Sequence, residues 1–192
     1  MYKRQTFCRN LNEWDLRRIR LRPIAVNADT EQQKTFVIQV RKRRQMEQPV
    51  FWFQDETAVW ADPSPFRQWA PRGTTPVCPR TVTHWHCNVM GTVRPDNGFF
   101  FGLIVSHGNG RLFQIFLDQL QEYLEPHRTH VINLDNARFH HVKELRWGRL
   151  EPMFLPPYSP NLNPIETLWL RIKQLFFNNW VPKNQDQLDQ RT

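Results

Sequence analysis

Apolar residues in this chain recur with two periods, and the switches between them mark its elements. After Pro49 the run VFWFQDET is apolar and ends in acids, which predicts a buried strand followed by a turn. The stretches TVTHWHCNVMGTV from Thr81 and GFFFGLIVS from Gly98 are rich in β-branched and aromatic residues, which pack well on a pleated surface. Between them stand the turn residues Arg94-Pro95-Asp96-Asn97-Gly98, so an antiparallel hairpin is predicted. Past Gly108-Asn109-Gly110, itself read as a turn, the period lengthens. Leu112, Ile115, Phe116, Leu120 and Leu124 form a stripe that predicts an amphipathic helix ending before Pro126. HVINLDN from His130 and EPMFLPP from Glu151 are apolar runs of strand length, and His141 to Trp147 between them reads as a short helix. The last strong element opens at Asn163-Pro164, places Ile165, Leu168, Trp169, Ile172, Leu175 and Phe176 on one face, and runs to about Trp180. Ahead of all these, Thr30 to about Arg44 reads as a basic lead-in helix.

In this order a helical crossover returns the chain to a strand parallel to the first, because parallel neighbours cannot be joined by a tight turn. The predicted fold class is α/β, a mixed five-stranded sheet flanked by helices. Residues 1–48 are expected to form a basic linker or arm, 49–180 the core, and 181–192 a truncated polar tail. Eight Trp, fourteen Phe and a 40% hydrophobic content exclude an apolar-poor disordered chain. No run of eighteen apolar residues occurs and MYKRQTFCRN lacks the apolar core of a signal peptide, so a cytosolic protein is expected. Cys8, Cys78 and Cys87 are too few and too scattered for a disulfide framework. The net charge of +8 sits almost wholly in the arm: residues 1–50 hold twelve Lys/Arg against five Asp/Glu, and the remainder fourteen against thirteen. Such a segment attracts a polyanion by counterion release, nucleic acid being the commonest; a solvated or membrane-surface arm is the other reading of charge alone. Arg17, Arg18, Arg20, Arg22, Arg41, Lys42, Arg43 and Arg44 are the candidate phosphate contacts.

Asp55 and Asp135 each close an apolar run, and ligands of open α/β sheets gather at the carboxyl ends of strands. Glu166 falls in the first turn of the final helix, one position from Ile165, where it can look along the sheet. Three carboxylates packed together raise one another's pKa, an arrangement that makes sense chiefly around hard cations such as Mg2+ or Mn2+. Plain structural readings stand beside this one. Asp and Asn end strands as turn residues, and Asn163, Pro164 and Glu166 match the N-cap, N1 and N3 positions of a capping box. Cys78, His84, His86 and Cys87 lack a familiar zinc spacing, and on a strand His84 and His86 face away from Cys87.

The stretch PPYSPNLNPIETLW, Pro156 to Trp169, resembles the signature of mariner-like transposases, most closely the bacterial branch known as insertion sequence 630. FQDET around Asp55 and VINLDNARFHH around Asp135 resemble the blocks that carry the two catalytic aspartates of that superfamily, and WAPRG, Trp69 to Gly73, is similar to its segment after the first strand. The resemblance spans about Pro49 to Trp180. It implies a ribonuclease-H-like catalytic domain in which Asp55, Asp135 and Glu166 form the catalytic triad and hold two divalent ions, Mg2+ or Mn2+. Asp55 is expected to bridge them, and His140, Pro157, Tyr158, Ser159 and Asn163 fall in the flanking motifs. The implied chemistry is hydrolysis at element ends to free a 3′ hydroxyl, then attack of that hydroxyl on target DNA. The implied partners are element-end and target DNA, with a homodimer in a synaptic complex, in a prokaryotic cytoplasm and without a membrane. Two features depart from the family pattern. Thirty residues lie between Asp135 and Glu166, a few fewer than usual, with the shortening near Trp147 to Leu150. Fewer than fifty residues precede the core, where the family carries helix-turn-helix DNA-binding domains, so weak and sequence-indifferent DNA binding is expected of this chain.

Overall fold

The computed structural model describes residues 11, 13, 14, 27–61, 84–177 and 180–192. Helix α1 (Thr30–Met46) is capped by Asp29, whose side chain accepts from the N–H groups of Glu31 and Gln32, and Arg43 and Arg44 sit at its negatively polarised C-terminal end. Phe36 is its one buried residue, so polar ties rather than an apolar face hold it to the core. Gln33 Nε2 donates to Ser159 Oγ at 2.9 Å, and Arg43 pairs with Glu151.

Strands β1 (Val50–Trp60), β2 (His86–Arg94) and β3 (Phe99–Val105) run antiparallel in sequence order. Helix α2 (Gly110–Leu120), capped by the Asn109 side chain, then carries the chain across to β4 (His130–Leu134), which pairs in parallel with β1. Strand β5 (Leu150–Phe154) pairs in parallel with β4, giving a five-stranded sheet of order β3-β2-β1-β4-β5. Helices α3 (Pro164–Phe176) and α4 (Gln185–Arg191) follow. Because successive strand side chains alternate, β1 serves two cores. Val50 and Trp52 join Met90, Ile132 and Leu134 beneath Phe113, Phe116, Leu117 and Leu120 of α2. On the opposite face Val59, Cys87 and Val89 meet Ile165 and Trp169 of α3 and Leu188 of α4.

The predicted mixed sheet and its hairpin are present, with four differences at the element level. β1 does not turn at its acids. Its parallel pairing with β4 ends at Phe53↔Asn133, yet pairing with β2 continues to Trp60↔His86 and keeps the strand extended through Asp55 and Glu56. Where a helix was predicted over His141 to Trp147, the chain makes a 3-10 turn earlier, at Arg138–His141, and non-helical backbone after it. α3 ends at Phe176 rather than near Trp180. The polar tail expected over 181–192 contains α4, capped by the Asn184 side chain and anchored by the fully buried Leu188.

Candidate active site

Register brings two of the predicted acids level. Phe53 is paired in parallel with Asn133; Asp55 lies one pleat repeat further along β1, on the sheet face that α3 covers, and Asp135 directly follows the last residue of β4. The third acid depends on how α3 starts. Asn163 stands at the N-cap position but makes no side-chain cap; its Nδ2 instead donates to the backbone carbonyl of Gln54 at 3.0 Å. The capping box read from the sequence is thus not formed through Asn163. The helix is tied to the residue before Asp55, and Glu166 lines the same pocket, of about 450 Å3, as Asp55 and Asp135.

The three acids have different surroundings. Asp55 is half-buried, and burial, then the nearby charges of Glu166, Glu56 and Asp135, push its pKa up to about 7. Trp169 Nε1 donates to its Oδ2 at 3.1 Å. That indole fits because Gly91, paired with Asp55 across the β1–β2 ladder, has no side chain: a Cβ there would lie 2.6 Å from Trp169 Cη2. Asp135 is held below the ordinary carboxylate range, first by its bond with His140 and then by the Ala137 N–H, with burial acting the other way. Glu166 is exposed.

His140 is buried between the rings of Phe113 and Phe139 and faces two acids. Its Nδ1 is 2.9 Å from Asp135 Oδ1, and its Nε2 is 3.4 Å from Glu56 Oε1, a charge contact too long for a good hydrogen bond. Burial opposes its positive charge, but the two carboxylates outweigh burial and raise its pKa to about 9. Lys173 lies further along α3, its pKa lowered by desolvation and partly restored by Glu166 and Asp55. Glu56, Trp169 and Gly91 escaped the sequence reading. Strand alternation, which turns Glu56 to the face opposite Asp55, is the signal that could have found the first of them.

Among the described residues no group of three or more His, Cys, Asp or Glu side chains stands in ion-holding geometry. Asp135 is engaged by His140 and Ala137, and Asp55 by Trp169. Of the predicted phosphate contacts, Arg17, Arg18, Arg20 and Arg22 lie outside the described residues, as do the WAPRG block and Cys78. Arg41, Lys42 and Arg44 are exposed on α1, whereas Arg43 is taken up by Glu47 and Glu151. Arg44 and Arg128 also line a second pocket of about 570 Å3 with Phe51 and Phe53. His86 is exposed and stacked on Trp60, while Cys87 is buried on the other face.

A family model described as DDE superfamily endonuclease matches residues 50–189. The chain belongs to this family. Its DDE-family sheet, mixed, five-stranded and flanked by helices, is the ribonuclease-H-like fold of the Mos1 transposase. The Mos1 transposase paired-end complex with left transposon end is similar with a TM-score of 0.70 and 15% identity, covering 97% of this chain and 60% of that one. The Mos1 strand transfer complex gives 0.67 and 15% over the same shares, and the Mos1 mariner paired end complex with Mn gives 0.70 and 14% over 97% and 61%. This DDE-family chain thus spans about 60% of the length of those Mos1 chains. A protein of Sinorhizobium fredii, y4pE/y4sA, is 29% identical over 101 residues, which is 52% of this chain and 75% of that protein. No helix among the described residues is long and apolar enough to cross a membrane.

Proposed function

We propose that this chain is the catalytic domain of a DNA transposase, which cleaves a DNA strand with the help of divalent metal and joins the freed 3′ hydroxyl to target DNA. One observation carries the reading: Asp55, Asp135 and Glu166, from three separate elements, line a single pocket, and Asp55 is held near pKa 7 by burial and its acidic neighbours. The donors suit hard cations, being carboxylate oxygens in excess of local positive charge, with Asn163 Oδ1 a further buried oxygen that has no donor among the described residues. Mos1 complexes of the same fold were solved with Mn and with Mg. In this reading Asp55, Asp135 and Glu166 hold two Mg2+ or Mn2+ ions, which when bound activate an attacking oxygen and stabilise a leaving one.

The chain's own residues orient that machinery. Trp169 fixes one oxygen of Asp55, His140 fixes Asp135, and Asn163 sets the start of α3 and so the height of Glu166. Arg41, Lys42 and Arg44, with Arg17, Arg18, Arg20 and Arg22 of the arm, contact DNA phosphates. Pairing of two element ends by a homodimer is the assembly this reading entails, and the narrower placement in the insertion sequence 630 branch rests on PPYSPNLNPIETLW.

The test is nicking of supercoiled plasmid with Mg2+ or Mn2+. Wild type is expected to nick, while Asp135→Asn and Glu166→Gln, which remove a ligand charge with little change in volume, lose cleavage and keep DNA binding; Glu166→Gln also keeps its melting temperature, whereas Asp135→Asn lowers it by loosening the buried His140 pair. Equal nicking by wild type and Asp135→Asn refutes the triad. Nicks without joined products indicate a ribonuclease-H-like nuclease that lacks strand transfer, and binding without nicks indicates an inactive relic.

A further inference from the structure

Tyr158 stands at the mouth of the acid pocket in a conformation that a bulky side chain rarely takes. Its φ is +56°, in the left-handed region that L side chains other than Asn and Asp seldom enter. The residue is 61% exposed although aromatic, and its ring makes no ring contact or hydrogen bond among the described residues. The backbone holding it is fixed from several sides. Pro156 and Pro157 precede it and Pro160 follows. Ser159 Oγ donates to the Pro157 carbonyl at 3.1 Å and accepts from Gln33 Nε2 of α1, while Asn136, next to Asp135, donates to the Leu155 carbonyl. Among the described residues, neither packing nor hydrogen bonding of its own ring explains why a tyrosine occupies this strained position. Strain that the surroundings over-determine collects at functional sites. The ring lines the same pocket as Asp55, Asp135 and Glu166.

We infer that Tyr158 is a base-stacking residue, whose ring packs against the unpaired nucleobase flanking the phosphate presented to Asp55, Asp135 and Glu166. The inference rests on the DNA-cleavage reading above and adds a ligand subsite to it. A flat, exposed aromatic face suits any base, because every base has a π-face. The clamped loop presents the ring with little conformational freedom left to lose on binding.

The test uses the whole chain and a DNA duplex with one unpaired 5-iodouracil, a base analogue that photocross-links to aromatic rings stacked on it. Irradiation, trypsin digestion and mass spectrometry are expected to place the adduct on Tyr158, in the peptide 150–171. Tyr158→Asn removes the ring while suiting a positive φ, so its melting temperature should hold. Its affinity for the oligonucleotide is expected to fall about tenfold, as loss of one stacked base predicts. Tyr158→Phe keeps the ring and should bind and nick within about threefold of wild type, since stacking needs no hydroxyl. An adduct elsewhere, or wild-type affinity in Tyr158→Asn, overturns the stacking role while wild-type nicking leaves the cleavage reading standing. Loss of nicking in Tyr158→Phe also overturns it, by assigning the hydroxyl rather than the ring. A wild-type chain that neither binds DNA nor nicks it overturns both.

Discussion

Gly91 shows how one missing methyl group can set the position of a carboxylate. The Trp169 indole occupies the space a Cβ would take and donates to Asp55 on the paired strand. Gly91→Ala is therefore expected to cost about 1–3 kcal/mol in urea denaturation, the usual range for overpacking. It should also slow plasmid nicking by about tenfold or more, because small misplacements of a reacting group are expensive. Trp169→Phe in the same chain should recover part of the stability but not the rate, since phenylalanine relieves the contact with residue 169, leaves the one with Phe100 at 2.9 Å, and donates nothing to Asp55. Two neighbouring titrations give a second expectation for the metal-free chain. Asp55 is raised to about 7 and His140 to about 9, so in each case the folded state binds the proton more tightly than the unfolded chain. Stability from Asp55 is complete below its unfolded pKa and is lost as pH rises towards 7; that from His140 is lost between its ordinary value of 6.5 and about 9. The melting temperature should fall by roughly 5 °C between pH 5 and pH 9. Asp55→Asn should flatten the lower half of that slope and His140→Gln the upper half; a variant that keeps the wild-type slope contradicts the assignment it tests. Asp55, Asp135 and Glu166 were legible as candidates because they sit in recognisable blocks. Of their supporting residues, His140 and Asn163 lie in the flanking motifs, but the contact of Gly91 with Trp169 was not legible, since the two are 78 positions apart in the chain and meet only where α3 packs on β2.

Elements with a local signature were legible, and those made by distant pairing were not. The stripe from Leu112 to Leu120 and the turn residues before Phe99 state their own structure, and α2 and the β2–β3 hairpin follow. β1 was cut short because Gln54, Asp55 and Glu56 look like the end of a strand until β2 supplies partners for their backbone. The 3-10 turn at Arg138–His141 was missed because the pull that shapes it, His140 towards Asp135 and Glu56, comes from outside the segment. α4 escaped for a different reason: Leu188 is the one apolar residue in GlnAspGlnLeuAspGlnArg, too little for a periodic signal. That residue nonetheless joins Val59, Cys87, Val89 and Trp169 in the core. Leu188→Ala is expected to cost about 2–5 kcal/mol, the range for emptying a fully buried leucine site. A change under about 0.5 kcal/mol in chemical denaturation would show α4 to be dispensable to the fold.

On the proposed transposase reading, charge and shape across the whole molecule divide the work of DNA binding. The acid pocket repels phosphate on its own, whereas the basic surplus lies ahead of the core, with Arg41, Lys42 and Arg44 exposed on α1. Affinity for duplex DNA should therefore come mainly from counterion release, with a log-log salt slope of about −0.9 per neutralised phosphate and little difference between sequences. Titrations of several labelled duplexes at two salt concentrations check this, and a preference for one terminal sequence that survives high salt contradicts it. α1 joins the basic segment to the loop beside the acids through Gln33 and Ser159, so the two parts are mechanically connected. The pairing of Phe53 with Asn133 has one more consequence, and it concerns insertions. A single insertion between Phe53 and Asp55 changes the parity of the pleat and turns the acid to the wrong face. Between His141 and Leu145, where Val142, Lys143 and Glu144 are exposed, an insertion lengthens a surface connection ahead of the core contacts of Leu145 and Trp147. The spacing between the second and third acids is therefore the one this architecture can lengthen without turning an acid away, while the step from Phe53 to Asp55 leaves no such slack.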